Sequence, residues 1–268
     1  MHSVLKKAGL LALLATALPA HAHKLWLLPS HTSVSKPQWV SVDASISNEI
    51  FGFERAYPVD NLEVTGPDGQ PATVDNLLKG HIRSVFDVQL DQPGSYRIAI
   101  AKPGYFLMYQ VDGDRQRARG MDADKLLAEL PDNASEVTLM EVHNRLETVV
   151  TLGAPNRTAL KPTGQGMEFE MLTHPNDLYD GETAQWRILV DGKPAAGVEV
   201  ELVPGGTRYR DQQNNWTVTS DNKGIVKITW PGPGRYYLEA ATSDDKVSNK
   251  KASQRRLQYL GTVEVLPM

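Results

Sequence analysis

The sequence contains no cysteine among its 268 residues. This absence excludes disulfide bonds, thiolate metal ligands, a cysteine nucleophile and a lipid-modified N-terminal cysteine. A secreted chain of this composition must be stabilised by its hydrophobic core alone. Any bound metal must be held by histidine, carboxylate, methionine or amide groups.

Catalytic signatures are also missing. The sequence has no GxSxG nucleophile elbow, no P-loop and no dinucleotide-binding fingerprint, and its carboxylates form no recognisable acid–base pair. Its formal net charge of −4, from 28 basic and 32 acidic residues, gives no reason to expect binding to nucleic acid or to an anionic membrane. We therefore expect a binding protein and not an enzyme.

The longest apolar run, residues 10–20, is too short for a membrane span, because a transmembrane helix needs about 20 apolar residues. Lys6 and Lys7 precede this run, and Ala20 and Ala22 supply the small residues of a cleavage site. These features predict a secretory signal peptide over residues 1–22 and a periplasmic mature protein with no membrane span. Cleavage after Ala22 is favoured, and cleavage after Ala20 is the alternative.

Both cleavage positions create a metal-binding terminus. A cut after Ala22 makes His23 the first residue, whose α-amine and imidazole can chelate one ion. A cut after Ala20 leaves His21-Ala22-His23, which can surround Cu(II) or Ni(II) with square-planar nitrogen ligands. The alternative interpretation is that these histidines lie near the cleavage site by chance.

The rest of the chain is predicted to be all-β. Short alternating runs such as residues 39–46, 83–90 and 198–203 are separated by glycine, proline and aspartate turns, a pattern typical of β-sandwiches. Residues 122–130 interrupt the pattern with good helix formers followed by Pro131, which predicts one short helix. The polar, proline-rich segment 154–164 is interpreted as a linker between an N-terminal domain (23–153) and a C-terminal domain (165–268). We expect each domain to be an immunoglobulin-like or transthyretin-like sandwich.

The mature chain has five histidines, and all five are candidate metal ligands. They are His23, His31, His81, His143 and His174. His31 is predicted in a loop, His81 at a turn and His143 at the end of a strand; their spacing matches no known zinc motif. His174 lies in a polar turn before Pro175, where hydrogen bonding within the loop is the favoured interpretation.

Several stretches together resemble a known family. They are residues 23–29, 172–178, 191–200, 203–210, 230–240 and 259–267. This set resembles a bacterial periplasmic family of domains of unknown function that is labelled as a periplasmic component of nickel/cobalt uptake. The resemblance implies a secreted β protein of two domains that assists transition-metal acquisition. His23 and His174 lie in the matching stretches, whereas His81 and His143 lie where the match is weaker.

The favoured hypothesis is a periplasmic accessory protein that binds a divalent transition metal and delivers it to a membrane uptake system. Nickel or cobalt is the favoured metal, with copper or zinc as alternatives. His23 would be the primary ligand, completed by one or two of the other four histidines. The main alternative is a metal-independent module that binds a receptor, glycan or partner protein; a copper oxidase with an N-terminal histidine ranks last.

Overall fold

The computed structural model describes residues 23–268, without the side chain of Lys102, so the predicted signal peptide lies outside the described residues. In chain order the strands are β1 Lys24–Pro29, β2 Ser33–Val34, β3 Gln38–Ser47, β4 Arg55–Ala56, β5 Leu62–Thr65, β6 Val74–Lys79, β7 Ser84–Leu90, β8 Gly94–Val111, β9 Asp114–Gly120, β10 Ser135–Leu152, β11 Met167–Met171, β12 Thr183–Val190, β13 Lys193–Pro194, β14 Glu199–Pro204, β15 Trp216–Thr219, β16 Ile225–Thr229, β17 Gly234–Asp244 and β18 Gln254–Val265. The predicted all-β fold class is confirmed.

The helical content is small. Helix α1 covers Ala123–Ala128, and a single 3-10 turn covers Thr207–Tyr209. Asp122 caps α1, since its carboxylate accepts hydrogen bonds from the backbone N–H groups of Asp124 and Lys125. The predicted short helix is therefore confirmed, and its start follows from the aspartate. In the part of the chain from residue 23 onward, no helix is long and apolar enough to cross a membrane.

Three sheets build two sandwiches that share a central sheet. The five-stranded sheet contains β1, β3, β7 and β6 in this order, with β4 paired to β3. The central nine-stranded sheet has the order β15-β14-β17-β18-β10-β8-β5, with β2 and β9 attached to β10 and β8. The four-stranded sheet has the order β11-β12-β13, with β16 paired to β12.

Each sandwich encloses its own hydrophobic core. The first core lies between the five-stranded and central sheets and contains Trp26, Phe86 and Leu146. The second lies between the four-stranded and central sheets and contains Trp186 and Tyr259 among others. A third, smaller cluster holds α1 against the central sheet. Alternating buried and half-buried residues, as along the whole of β7, explain why these segments form strands with one face in a core.

The central sheet joins the two halves of the chain. Strand β10, from the predicted N-terminal domain, pairs in parallel with β18 over the nine residues from Met140 to Thr148. Residues 153–166, which include the predicted linker, contain no strand. The two halves thus contribute neighbouring strands to one sheet. The domain boundary between them stays a prediction.

Two strands differ from the sequence expectation. His143 was predicted to lie at the end of a strand, but it lies inside β10, which is one strand of 18 residues. The prediction was wrong because the backbone of β10 pairs without interruption through His143 and Arg145, with β8 on one side and β18 on the other. Strand β1 was not predicted, since residues 24–29 were interpreted only as the start of the mature chain; all six pair with β3.

Candidate functional site

His23 lies directly before β1 with its side chain exposed. The next residue, Lys24, crosses to the other half of the protein: its ammonium group forms an ion pair with Glu201 and another, at 3.2 Å, with Glu239. Burial lowers the pKa of Lys24, but the two carboxylates more than offset this effect and the pKa lies above its ordinary value. The start of the described chain is therefore tied to β14 and β17 of the central sheet.

His31 and His81 are both exposed. The Nδ1 atom of His31 lies 3.2 Å from the hydroxyl oxygen of Ser30. The backbone carbonyl of His81 accepts a hydrogen bond from the N–H group of Ala56 at 3.3 Å. The contact of His31 involves one ring nitrogen and that of His81 involves only the backbone, so both rings remain accessible from solvent.

His174 is buried, and both of its ring nitrogens are hydrogen-bonded. Nδ1 accepts from the backbone N–H of Asn176 at 3.1 Å, which places the proton of the neutral ring on Nε2. Nε2 lies 3.0 Å from the hydroxyl oxygen of Ser95 and 3.1 Å from the carbonyl oxygen of Asn156. Burial is the main cause that lowers the pKa of His174, and the charge of Arg157 adds to it. A metal ion at His174 would have to replace these hydrogen bonds.

His143 forms a close pair with a buried carboxylate. Its Nε2 atom lies 2.6 Å from Oε1 of Glu141, which is 1% exposed. The other oxygen of Glu141 accepts hydrogen bonds from the backbone N–H and the hydroxyl group of Ser248, at 2.7 and 2.9 Å. Burial raises the pKa of Glu141, but these hydrogen bonds outweigh it and the pKa lies below its usual range.

The predicted ligands are dispersed over the structure. His174 bonds to Ser95, whose hydroxyl also contacts Thr151, and Thr151 lies eight residues beyond His143 on β10. At about 3.3 Å per residue, this separation is about 26 Å, so His143 and His174 cannot bind the same ion. Strand β1 likewise separates His23 from His31 by about 17 Å or more. Within residues 23–268, no three histidine, aspartate or glutamate side chains are grouped so that they could hold a metal.

A buried ionic network, which the sequence analysis missed, includes Glu141 and Arg145 on either side of His143 in β10, and Arg255, the residue opposite Glu141 on β18. Arg145 is 8% exposed, and its guanidinium nitrogens lie 3.4 Å from a carboxylate oxygen of Glu147 and 3.4 Å from one of Glu168. Arg255 is 6% exposed and pairs with Asp191 at 2.7 Å and with Asp244 at 2.6 Å. The available signal was the alternation of charged residues at positions 141, 143, 145 and 147, which marks one face of a strand.

A cavity of about 230 Å³ lies next to this network, at the junction of the two sandwiches. Strands β8 and β10 form one side of it, and the loop before β11 and the turn after β12 form the other. Its lining consists of Ala101, Pro103, His143, Asn144, Arg145, Gly164, Gln165, Gly166, Met167 and Asp191. The cavity thus brings one of the five predicted histidines together with an aspartate and with apolar groups from both halves.

The family is shown by comparison with known proteins. Residues 20–244 match the family described as a domain of unknown function (DUF4198), and the chain belongs to this family. A search of curated proteins found no match.

Solved structures resemble the chain only remotely. The D0-D1 domain of intimin is 14% identical with a TM-score of 0.23, and the match covers 90% of this chain and 97% of that one. The Escherichia coli adhesin FdeC is 12% identical with a TM-score of 0.21, and the match covers 89% of this chain and 65% of that one. Escherichia coli alpha-2-macroglobulin is 11% identical with a TM-score of 0.21, covering 90% and 31%.

Proposed function

We propose that this protein is a periplasmic accessory protein that binds a divalent transition metal at its mature N-terminus and delivers it to a membrane uptake system. The observation that carries the proposal is the placement of His23. Its imidazole is exposed, and the following strand is fixed on both sides, by pairing with β3 and by the ion pairs of Lys24 with Glu201 and Glu239. Ligands on such an anchored segment are presented at a constant position.

The chemistry of the terminus suits nickel or cobalt. Once the signal peptide is removed, the α-amine and imidazole of His23 form a chelate of two nitrogen ligands, which these ions and copper prefer. The neighbouring charges also favour a cation, because two carboxylates, Glu201 and Glu239, face the single ammonium group of Lys24. Two protein ligands leave coordination positions open to the receiving transporter, so that the ion can be exchanged.

The proposal is tested by calorimetric titration of Ni²⁺ and Co²⁺ into protein that has been exported and processed by the cell. We expect His23→Ala to weaken binding at least a hundredfold, about 2.7 kcal/mol, because the substitution removes the imidazole half of the chelate. His31→Ala is the matched control, since His31 is also exposed but lies beyond the far end of β1. Binding should weaken as the pH falls, because both ligands must be deprotonated.

Two results would contradict the proposal. One is equal affinity in wild-type protein and in His23→Ala, and the other is equal affinity at about pH 5 and about pH 7.5. Either would favour the second candidate, a metal-independent interaction module. The observation in favour of that candidate is Tyr209, which is 82% exposed on the 3-10 turn and suited to contact a partner. In that case Tyr209→Ala, and not His23→Ala, should weaken partner binding.

A further inference from the structure

We propose that the cavity at the junction of the two sandwiches is a binding site for a compact organic cation with a primary ammonium group. This site is separate from the proposed metal site at the N-terminus, because it is built from β8, β10, the loop before β11 and the turn after β12. Pockets at the junction of two packed units are common positions for small-molecule sites.

His143 offers the cavity a hydrogen-bond acceptor with a fixed direction. Since the carboxylate of Glu141 accepts from His143, the Nε2 atom of His143 must carry a proton, and in the neutral ring Nδ1 is then an acceptor. Nδ1 has no hydrogen-bond partner among the side chains and backbone groups that the structure describes. It is the ring atom closest to Gly166, lying 3.8 Å from the position of an added Cβ there, and Gly166 lines the cavity.

Gly166 brings the backbone of the loop close to His143. Gly166 has a φ of +66°, a left-handed conformation that side-chain-bearing residues rarely adopt. Its backbone is fixed by Asp191, because the carboxylate of Asp191 accepts from the N–H of Gly166 at 3.1 Å and the carbonyl of Gly166 accepts from the N–H of Asp191 at 2.8 Å. The loop is therefore held close to His143, and Gly166 adds no side chain to the lining of the cavity.

The ionic groups near the cavity favour a cationic ligand. The described side chains of the network contain five carboxylates and two guanidinium groups: Glu141, Glu147, Glu168, Asp191 and Asp244 against Arg145 and Arg255. Each arginine already contacts two carboxylates, so neither is available to neutralise an anionic ligand. Of these charged groups, Arg145 and Asp191 line the cavity, and Glu141 bonds to the lining residue His143. Because Arg145 is compensated by Glu147 and Glu168, a cation in the cavity interacts mainly with Asp191 and Glu141.

The volume and the lining of the cavity limit the size and polarity of the ligand. A volume of about 230 Å³ corresponds to seven or eight water molecules at about 30 Å³ each, so the ligand must be small. Ala101, Pro103 and Met167 supply apolar surface for a short hydrocarbon chain. The ammonium group would donate to Nδ1 of His143 and to the carboxylate of Asp191, which is 34% exposed at its side chain.

The test uses 1,4-diaminobutane as the probe and hexanoate as an anionic probe of similar length, both titrated into the full mature chain by calorimetry. Ala101→Leu fills the cavity without removing a polar group, since Ala101 pairs with Arg145 across β8 and β10 and lines the site. His143→Phe removes the acceptor and keeps a ring. His81→Phe is the matched control, because His81 is exposed and does not line the cavity.

We expect diaminobutane to bind with a Kd in the low millimolar range or tighter. Ala101→Leu and His143→Phe should each weaken binding at least tenfold, His81→Phe should leave it unchanged, and hexanoate should not bind. In wild-type protein, diaminobutane should also shift the ¹⁵N resonance of Nδ1 of His143 and leave that of His174 in place. This spectrum decides the question if Ala101→Leu fails to fold.

Three outcomes of the titrations would overturn the proposal. They are absence of diaminobutane binding, preferential binding of hexanoate, and diaminobutane binding that is unaffected by both cavity substitutions. Displacement of the His143 resonance by Ni²⁺ but not by diaminobutane would also overturn it, since it would assign the cavity to a metal ion.

Discussion

Replacing Trp26 by alanine should destabilise the protein by about 4 kcal/mol. Trp26 is 1% exposed on β1, packs edge-on against Phe51 and Phe53 at 5.8 and 5.2 Å between ring centroids, and donates from its indole N–H to Ser47 at 3.2 Å. A buried tryptophan covers about 150–250 Å². At about 25 cal/mol per Å², its removal costs about 4–6 kcal/mol, and measured large-to-small substitutions give about 3–5 kcal/mol.

The assay is urea unfolding followed by far-ultraviolet circular dichroism, which does not depend on tryptophan fluorescence. Trp39 provides the matched control: it lies on β3, which pairs with β1, but is 45% exposed. We expect Trp39→Ala to cost less than about 1 kcal/mol. Equal costs for the two substitutions, or a cost below about 1 kcal/mol for Trp26→Ala, would show that β1 does not anchor the N-terminus through a buried side chain.

Two further predictions concern the buried polar groups. His174→Ala should cost about 2 kcal/mol or more in urea unfolding, because it leaves the N–H of Asn176 and the groups around Nε2 without a partner; a cost equal to that of His31→Ala would contradict the hydrogen-bonded role. Arg255 holds the pKa values of Asp191 and Asp244 below their usual range. The ion pairs therefore stabilise the fold fully above the ordinary aspartate pKa of about 4. This stabilisation is lost as the pH falls through the lowered pKa values. The difference in unfolding free energy between wild type and Arg255→Met should therefore shrink below about pH 4, and a difference independent of pH would refute this assignment.

Local sequence patterns were sufficient for most of the fold. Strands such as β7 and β14 were predicted because their side chains alternate between core and surface, and α1 because Asp122 and Pro131 mark its limits. The pairing of β10 with β18 could not be predicted in this way, since the paired residues are more than a hundred positions apart and parallel pairing leaves no turn between them.

The candidate sites were less predictable than the fold. His143 was a candidate metal ligand because of its residue type, but its bonded partner Glu141 lies on the same strand, and Asp191, which lines the same cavity, follows β12. Only the alternation at positions 141, 143, 145 and 147 was visible in the sequence. His174 shows the opposite case, because the polar turn around Pro175 already favoured the hydrogen-bonded role that its two ring nitrogens have in the structure.

The central claim is that the mature N-terminus binds a transition metal through His23, and native mass spectrometry of exported protein tests it most directly. The protein is produced in the presence of limiting nickel, cobalt, copper and zinc, so that one spectrum reports the first residue and any retained ion. We predict a chain that starts at His23 with one metal ion, which is lost in His23→Ala and kept in His31→Ala. A metal-free wild-type spectrum, or metal retention that His23→Ala does not change, would contradict the claim.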